Sequence, residues 1–211
     1  MSFVETDRRN APRILIAAPV FRRLQLYIDL CPFEVGGLGS VEAFGDDLLV
    51  TSAILIRQRA TGSDVELDSQ AIADHLLQIL REGRDPSSLR VWWHSHAEGP
   101  ILWSSTDERT IEGMQIDRLV SIVGNKRNEF ACRLDEFSPR RRTFDGLPLL
   151  PMPDGVLEDE ATLRLQVMAE LREKVTLIHR DVSEVPEIFL DPSCTLEIPI
   201  PFDEPRAPQQ G

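Results

Sequence analysis

Apolar residues recur at helical spacing in three stretches of the chain. The first runs from Pro19 to about Leu30, where Pro32 ends it because the residue before a proline disfavours the helical conformation. Its apolar positions are Val20, Leu24, Ile28 and Cys31. We therefore expect an amphipathic helix with one buried face early in the chain.

The second helix is predicted over residues 68–83, with Asp68 or Ser69 at its start and Gly83 at its end. Its apolar face consists of Ile72, Leu76, Ile79 and Leu80. A third long helix is predicted from Glu158 to about Ile178. Its apolar side consists of Leu163, Val167, Leu171, Val175 and Ile178.

Apolar runs bounded by turn residues predict strands between these helices. The segments FEVGGLGSVEAF and DLLVTSAILI predict two strands joined by a tight turn at residues 45–47. SLRVWWHSH predicts another strand and SSTDERTIEGMQ a short helix, while LVSIVGN and EFACRLDEF predict a hairpin. Residues 57–67 form a polar connection. Because helices alternate with strands, the pattern predicts a single α/β domain with a mostly central sheet.

The organisation predicted for the chain is one domain with an extension at each end. Residues 1–12 indicate a flexible arm, residues 13–180 the domain, and residues 181–211 a proline-rich tail. Six of the fifteen prolines fall in residues 186–208, so the tail is expected to be an extended or disordered arm rather than a domain.

Composition narrows the classes of function. A net charge of −12 argues against nucleic acid as a partner, because phosphate binding needs concentrated Lys and Arg. The three cysteines are widely spaced and include no CxxC pair, which excludes a disulfide framework or zinc knuckle. No stretch approaches the ~20 apolar residues of a membrane span, and the amino-terminus lacks a signal-peptide pattern. We expect a soluble cytoplasmic protein.

Candidate chemistry lies in VWWHSHAEGPILWSSTD, residues 91–107. Side chains two apart in a strand share a face, so His94 and His96 project together. Two imidazoles on one face suit Zn²⁺, which needs a third protein ligand and an open position in a catalytic site. Asp107, in the first turn of the next helix, is the candidate third ligand. The alternative is an ordinary strand followed by a helix whose Ser104 and Asp107 form a capping box.

The spacing His94, Ser95, His96, seven residues, Ser104, two residues, Asp107 resembles the signature of the JAMM (JAB/MPN) zinc metalloproteases, in particular prokaryotic members. These metalloproteases also have a glutamate upstream of the two histidines, and Glu34, within PFEVGG, matches it. The likeness spans about residues 15–150. It implies a three-layer, cytidine-deaminase-like α/β domain with a central mixed sheet flanked by helices.

The resemblance also implies roles for these residues. One Zn²⁺ per chain is held by His94, His96 and Asp107, Glu34 acts as general base, and Ser104 stabilises the oxyanion. A further residue, Trp103, is expected to border the substrate groove. The glycines after Glu34 are expected to permit close approach of the backbone to substrate or to the histidine strand.

Other candidate residues are weaker. Glu98 follows the histidines but its loop position is unfixed, and Glu42 is too far along the strand to replace Glu34. His75 and His179 are expected to be structural or surface residues. Trp92 and Trp93 are expected in the core.

The function implied by the resemblance is cleavage of amide or isopeptide bonds after the carboxyl-terminus of a ubiquitin-like protein. Its implied partners are that protein or its conjugates, together with E1- and E2-like enzymes from one operon; the oligomeric state stays open. The polar connection 57–67 corresponds to a substrate-gripping insertion. The alternative is a non-catalytic scaffold, which generally lacks a ligand. A deaminase needs a P-C-x-x-C motif that is missing here.

Overall fold

The computed structural model describes residues 11–114, 116–153 and 159–178, and the backbone of 196–197. Within these residues the α-helices are α1 (Ala18–Leu30), α2 (Ser69–Arg81), α3 (Ser105–Gly113) and α4 (Glu160–Lys174). The first three lie where the hydrophobic pattern predicts them. Asp68 caps α2 by accepting hydrogen bonds from the amides of Gln70 and Ala71, and Gly83 follows with a φ of 69°.

The central sheet carries the candidate metal ligands. Its six strands, in spatial order, are β11 (Arg142–Leu147), β10 (Phe130–Glu136), β9 (Arg118–Gly124), β8 (Val91–Ser95), β2 (Gly36–Gly39) and β5 (Ile54–Leu55). Neighbouring strands run antiparallel except β8 and β9, which are parallel. The hairpin predicted from LVSIVGN and EFACRLDEF is confirmed as β9 and β10.

Two smaller mixed sheets complete the described strands. One has the order β12 (Leu149–Pro151), β1 (Ile14–Ile16), β4 (Asp47–Val50) and β3 (Val41–Phe44). The other has the order β14 (Leu196–Glu197), β13 (Val175–Ile178), β6 (Gln58–Ala60) and β7 (Val65–Leu67). With the helices, these sheets confirm the predicted α/β class.

Hydrophobic clusters cover both faces of β8. Trp93 belongs to a cluster that includes residues of α1 and α4, whereas Trp92 belongs to a second cluster with Ile111 of α3. Neighbouring residues of a strand point to opposite faces, so one strand contributes to both clusters. Both tryptophans are buried, as predicted. The histidine strand therefore lies in the middle of the fold.

Gly37 is required where three strands approach one another. A Cβ atom at this position would lie 2.1 Å from the Ile54 carbonyl oxygen and 2.9 Å from the Trp93 ring. Glycine has no Cβ atom, so β2 can pack closely between β5 and β8 at this position. This confirms that a glycine after Glu34 permits close approach to the histidine strand.

The prediction of a helix as far as Ile178 is wrong. The helix α4 ends at Lys174, and residues 175–178 form β13, which pairs in parallel with β6. The run Val-Thr-Leu-Ile contains three β-branched residues, which fit a strand better than a helix. The buried face of α4 agrees with the prediction at Leu163, Val167 and Leu171.

The two long strands predicted over residues 33–56 are each divided between sheets. A break at Ser40 separates β2 from β3, and residues 51–53 separate β4 from β5. Hydrogen bonds stabilise this bend: the Ser40 amide donates to Ser52 Oγ at 2.8 Å, and the Thr51 amide donates to the Ser40 carbonyl at 2.9 Å. The tight turn is confirmed, with Phe44 paired to Asp47.

The polar connection 57–67 contains an antiparallel hairpin, β6 and β7, rather than only a loop. Strands β1, β11 and β12 were also not predicted. Leu80 is 55% exposed, so it does not belong to the buried face of α2. Short strands and partly covered helices give weak periodic signals, because only a few side chains decide the pattern.

The predicted terminal arms fall almost entirely outside the described residues. Of the amino-terminal arm, only residues 11 and 12 are described, and of the proline-rich tail only the backbone of β14. His179 and Cys194 also lie outside. No helix in the described part of the chain is long and apolar enough to span a membrane.

Candidate metal centre

Strand register sets the candidate base beside the candidate ligands. In the antiparallel pairing of β2 with β8, Gly36 lies opposite His94. The Ser95 amide donates to the Val35 carbonyl at 2.8 Å, so the two segments stay side by side beyond this pair. Glu34, one residue before Val35, lines the same cleft as both histidines.

The three candidate ligands converge at the carboxyl end of β8. His94 Nε2 lies 3.0 Å from His96 Nε2 and 3.2 Å from Asp107 Oδ1, and His96 Nε2 lies 3.5 Å from Asp107 Oδ2. Ligand atoms bound to a tetrahedral Zn²⁺ at 2.0–2.1 Å lie about 3.3 Å from one another. The spacing of these three side chains matches that geometry.

The orientation of His96 is fixed by a backbone carbonyl. Its Nδ1 lies 2.7 Å from the Pro100 carbonyl oxygen, which can only accept a hydrogen bond. Nδ1 therefore carries the proton, and the Nε2 lone pair is directed at His94 and Asp107. This is the arrangement usual for a metal-binding histidine.

His94 is held by packing. Its ring stacks on Trp92 with centroids 4.4 Å apart and lies 6.0 Å from the Trp103 ring. The side chain is buried, and its Nδ1 has no hydrogen-bond partner among the described residues. The rigid aromatic surroundings fix the ring plane, so Nε2 meets the other two ligands.

Asp107 is placed by the helix start. The Ser104 amide donates to Asp107 Oδ2 at 2.6 Å, and the Asp107 amide donates to Ser104 Oγ at 3.1 Å. These two bonds are the predicted capping box. The capping box is therefore confirmed, and it is compatible with the candidate ligand group, because the cap orients the carboxylate towards the histidines. The Ser104 hydroxyl accepts in the cap, so its proton is available to another acceptor.

The electrostatics differ among the three candidate ligands. Burial lowers the pKa of His94, which keeps its imidazole neutral. Burial opposes ionisation of Asp107, but its interactions with His94 and His96 hold the pKa of its carboxyl well below the ordinary value. The interaction with Asp107 raises the pKa of His96 against the effect of burial. Because a ligating imidazole must be neutral, a metal ion would compete with a proton at His96.

Glu34 faces the same cleft as the ligands. Its amide donates to the Thr61 carbonyl at 3.1 Å, which attaches it to the β6–β7 hairpin. Burial raises the pKa of the Glu34 carboxyl to about 7, with Asp107 and Asp64 adding to the rise and His96 opposing it. A carboxylate with a pKa near neutrality is suited to both accept and return a proton.

A cleft of about 810 Å³ contains this constellation. Its walls come from the segment around Glu34, the turn of the β6–β7 hairpin, the end of β8 and the first turns of α3. Among its lining residues are Phe33, Glu34, Asp64, Val65, His94, His96, Glu98, Ser104, Thr106, Asp107 and Thr110. The candidate ligands, base and hydroxyl therefore open onto one space large enough for a substrate segment.

His94, His96 and Asp107 form a group able to bind a metal ion, and the only such group within the described residues. Two imidazoles and one carboxylate are ligands that zinc accepts in catalytic sites. Because the ligand spacing and the orientation of His96 agree with this ligand set, the residues present fit a single divalent ion.

The remaining candidates are placed as follows. Glu98 is exposed at the rim of the cleft, whereas Glu42 is exposed on β3 in another sheet. His75 lies on α2, outside the cleft, and burial lowers its pKa. Trp103 packs beside His94 and donates its indole N–H to Asp145 at 2.9 Å. It is not among the residues lining the cleft, so its predicted role at the substrate groove stays a prediction.

Two buried amides near the site were missed at the sequence level. Gln58 accepts from the Gly36 amide at 2.9 Å and donates to the Gly36 carbonyl at 2.7 Å, linking β6 to the strand after Glu34. Asn125 contacts the loop after His96. Neither belongs to a motif, and both lie in polar segments, so no local pattern marks them.

Comparisons with known proteins leave the function open. No family model matches the chain, and no curated protein matches it. Among solved structures, a protein from Desulfitobacterium hafniense determined in solution superposes with a TM-score of 0.50 at 15% identity. The match covers 69% of this chain and 95% of that protein. At this identity the likeness concerns the fold alone.

Proposed function

We propose that this chain is a zinc-dependent peptidase or isopeptidase of the JAMM type on a JAB/MPN domain. The observation that carries the proposal is the convergence of Glu34 and the three-ligand group on one cleft. A metal-binding group alone suits many functions. A carboxylate that lines the same cleft supplies the proton transfer that amide hydrolysis needs.

The reaction follows from the positions of the side chains. His94, His96 and Asp107 would hold a zinc ion, which would supply Lewis acidity and lower the pKa of the attacking water. Glu34 accepts the proton of the attacking water and returns it to the leaving amine. The Ser104 hydroxyl donates to the substrate carbonyl oxygen as negative charge develops on it.

The proposed substrate is a ubiquitin-like protein with its carboxyl-terminus joined to a lysine or to an extension. An extended tail fits beside the β6–β7 hairpin, because β7 ends its sheet and pairs with one neighbour among the described strands. Val65 of β7 lines the cleft. Pairing of the tail with this edge would bring the scissile bond to Glu34.

Only four residues separate α3 from β9, between Gly113 and Arg118. The resemblance associates strict lysine-linkage specificity with a longer insertion in this region. We therefore propose that the enzyme recognises the carboxyl-terminal tail of the ubiquitin-like protein and does not distinguish between lysine linkages.

The test uses ubiquitin with a carboxyl-terminal fluorogenic amide and the zinc-loaded chain. Wild type should release the fluorophore. E34Q should keep its zinc and lose about 10²–10⁴-fold in rate, the usual contribution of a general acid–base. The matched control is E98Q, at the rim of the same cleft, which should stay within about twofold of wild type, as expected of a residue outside the proton transfer.

Three outcomes would contradict the proposal in different ways. Retained activity in E34Q would contradict the mechanism. No cleavage by the zinc-loaded wild type would contradict this substrate class. A zinc content near zero after purification without chelators would favour the non-catalytic scaffold.

A further inference from the structure

The carbonyl that orients His96 lies in an irregular loop. Residues 97–100 follow β8 and include Ala97 at a φ of 41°, in the left-handed region that non-glycine residues seldom adopt. Pro100, at the end of this loop, presents the oxygen that receives the His96 Nδ1–H. Because this loop has no regular secondary structure, contacts with other parts of the protein must hold the Pro100 carbonyl in place.

Asn125 holds this loop from the turn between β9 and β10. Its side chain is 1% exposed, and its Nδ2 donates to the Gly99 carbonyl at 3.0 Å and to Glu129 Oε2 at 2.6 Å. Its Oδ1 accepts from the amides of Arg127 and Glu129 at 3.0 and 3.1 Å. All four hydrogen-bonding positions of the amide are therefore used.

Two further contacts from the same turn reach the loop. The Arg127 guanidinium donates to the carbonyls of Glu98 and Gly99, at 2.7 and 3.2 Å. The Lys126 amide donates to the Ala97 carbonyl at 2.9 Å. Of these contacts, only the one from Asn125 comes from a buried side chain, where an unmet hydrogen bond is costly.

We propose that Asn125 is a positioning residue for the metal centre. It fixes the Gly99 carbonyl, in the peptide unit that precedes Pro100, and so acts together with the Leu102 amide, which donates to the Pro100 carbonyl at 3.0 Å, in placing the oxygen that orients His96. The inference rests on the proposed metal centre but not on the proposed peptidase reaction. Partners that orient a ligating histidine typically contribute 10–100-fold to metal affinity.

The experiment measures zinc affinity by chelator competition and the visible absorption bands of the Co²⁺-substituted protein. In N125D the carboxylate still accepts from the amides of Arg127 and Glu129, but no longer donates to Gly99 or to the Glu129 carboxylate, which it now repels. In N125A the whole side chain is lost. The matched control is N128G in the same turn: Asn128 has a φ of 59°, which glycine adopts readily, and its side chain contacts Gln25 and not the loop.

Both Asn125 variants should bind zinc about 10–100-fold more weakly than wild type and show altered Co²⁺ bands. The control N128G should change neither. Thermal unfolding of the metal-free variants separates this effect from general destabilisation. The proposal would be overturned if N125D bound zinc with wild-type affinity, or if N128G lost as much zinc affinity as the Asn125 variants. It would also be overturned if zinc affinity fell while the Co²⁺ bands stayed unchanged. If the affinities follow this pattern but zinc-loaded wild type cleaves no ubiquitin amide, the proposed substrate class fails and this proposal stands.

Discussion

Ser95 Oγ accepts a hydrogen bond from the Val35 amide at 3.0 Å, and the Ser95 amide donates to the Val35 carbonyl at 2.8 Å. Ser95 lies between the two candidate ligands, and Val35 follows the candidate base. This pair of bonds therefore connects β8, which leads into the candidate ligands, to the segment between Glu34 and β2.

S95A should both destabilise the protein and slow the proposed reaction. It leaves the buried Val35 amide without its partner, at a cost of about 1–3 kcal/mol, and frees the segment that positions Glu34. Chemical denaturation measures the first effect and steady-state kinetics the second, as a lower kcat. The matched control is S121A on β9: Ser121 is fully buried, but its hydroxyl has no partner in the described structure, so its removal should cost less than about 1 kcal/mol. Equal losses in the two variants would contradict the role given to the Ser95 bond.

Zinc should bind in a ratio of one ion per chain and stabilise the fold. Ligand at 100 times its Kd stabilises a native state by about 2.7 kcal/mol, seen as a higher melting temperature with added zinc. D107N and H96A should remove this increase, because the first removes the charge of the ligand carboxylate and the second removes a ligand nitrogen. H75A, on α2, should keep it. A zinc-dependent increase that survives in D107N would place the ion elsewhere.

Gln58 should be important for stability despite its polarity. It is 1% exposed, and its amide donates to the carbonyls of Gly36 and Ile56 at 2.7 and 2.6 Å. Q58L fills a similar volume but leaves backbone groups unsatisfied, so the free energy of unfolding should fall by about 1–3 kcal/mol. The control is Q78L on the exposed face of α2, expected within about 0.5 kcal/mol of wild type. Urea titration compares them, and equal stabilities would show that the buried bonds contribute nothing.

The ion pairs of Glu136 predict a specific loss of stability in acid. Burial opposes ionisation of this carboxyl, but Arg118, at 2.7 Å, and Arg142 lower its pKa. A lowered folded-state pKa stabilises the protein above the unfolded value of about 4.3 and loses that stabilisation as pH falls through the folded-state pKa. E136Q should therefore be less stable than wild type by about 1 kcal/mol near pH 7.

The difference between E136Q and wild type should shrink below about pH 4.3, as the wild-type carboxyl takes up its proton. Urea titrations from neutral to acid pH measure it. E42Q, on the exposed β3, should follow wild type throughout. A difference that is constant with pH would exclude the charge of Glu136 as its cause.

Much of the site was predictable because it depends on spacings between residues that are close together in the sequence. Alternation along a strand predicts that His94 and His96 share a face, and the spacing of Ser104 and Asp107 predicts the capping box that the structure contains. Glu34 was assigned only through resemblance, because sixty residues separate it from His94. No periodicity connects two strands that far apart in the chain.

Sequence alone determined which segments bury apolar faces and which side chains offer metal-binding atoms. Tertiary structure decided how those segments meet. It divided residues 33–56 between two sheets, made residues 175–178 a strand, and placed Gln58 and Asn125 against backbone groups of distant segments. The physical reason is that a helix or strand period is set by neighbouring residues, whereas strand register and buried hydrogen bonds depend on which distant backbone groups need partners.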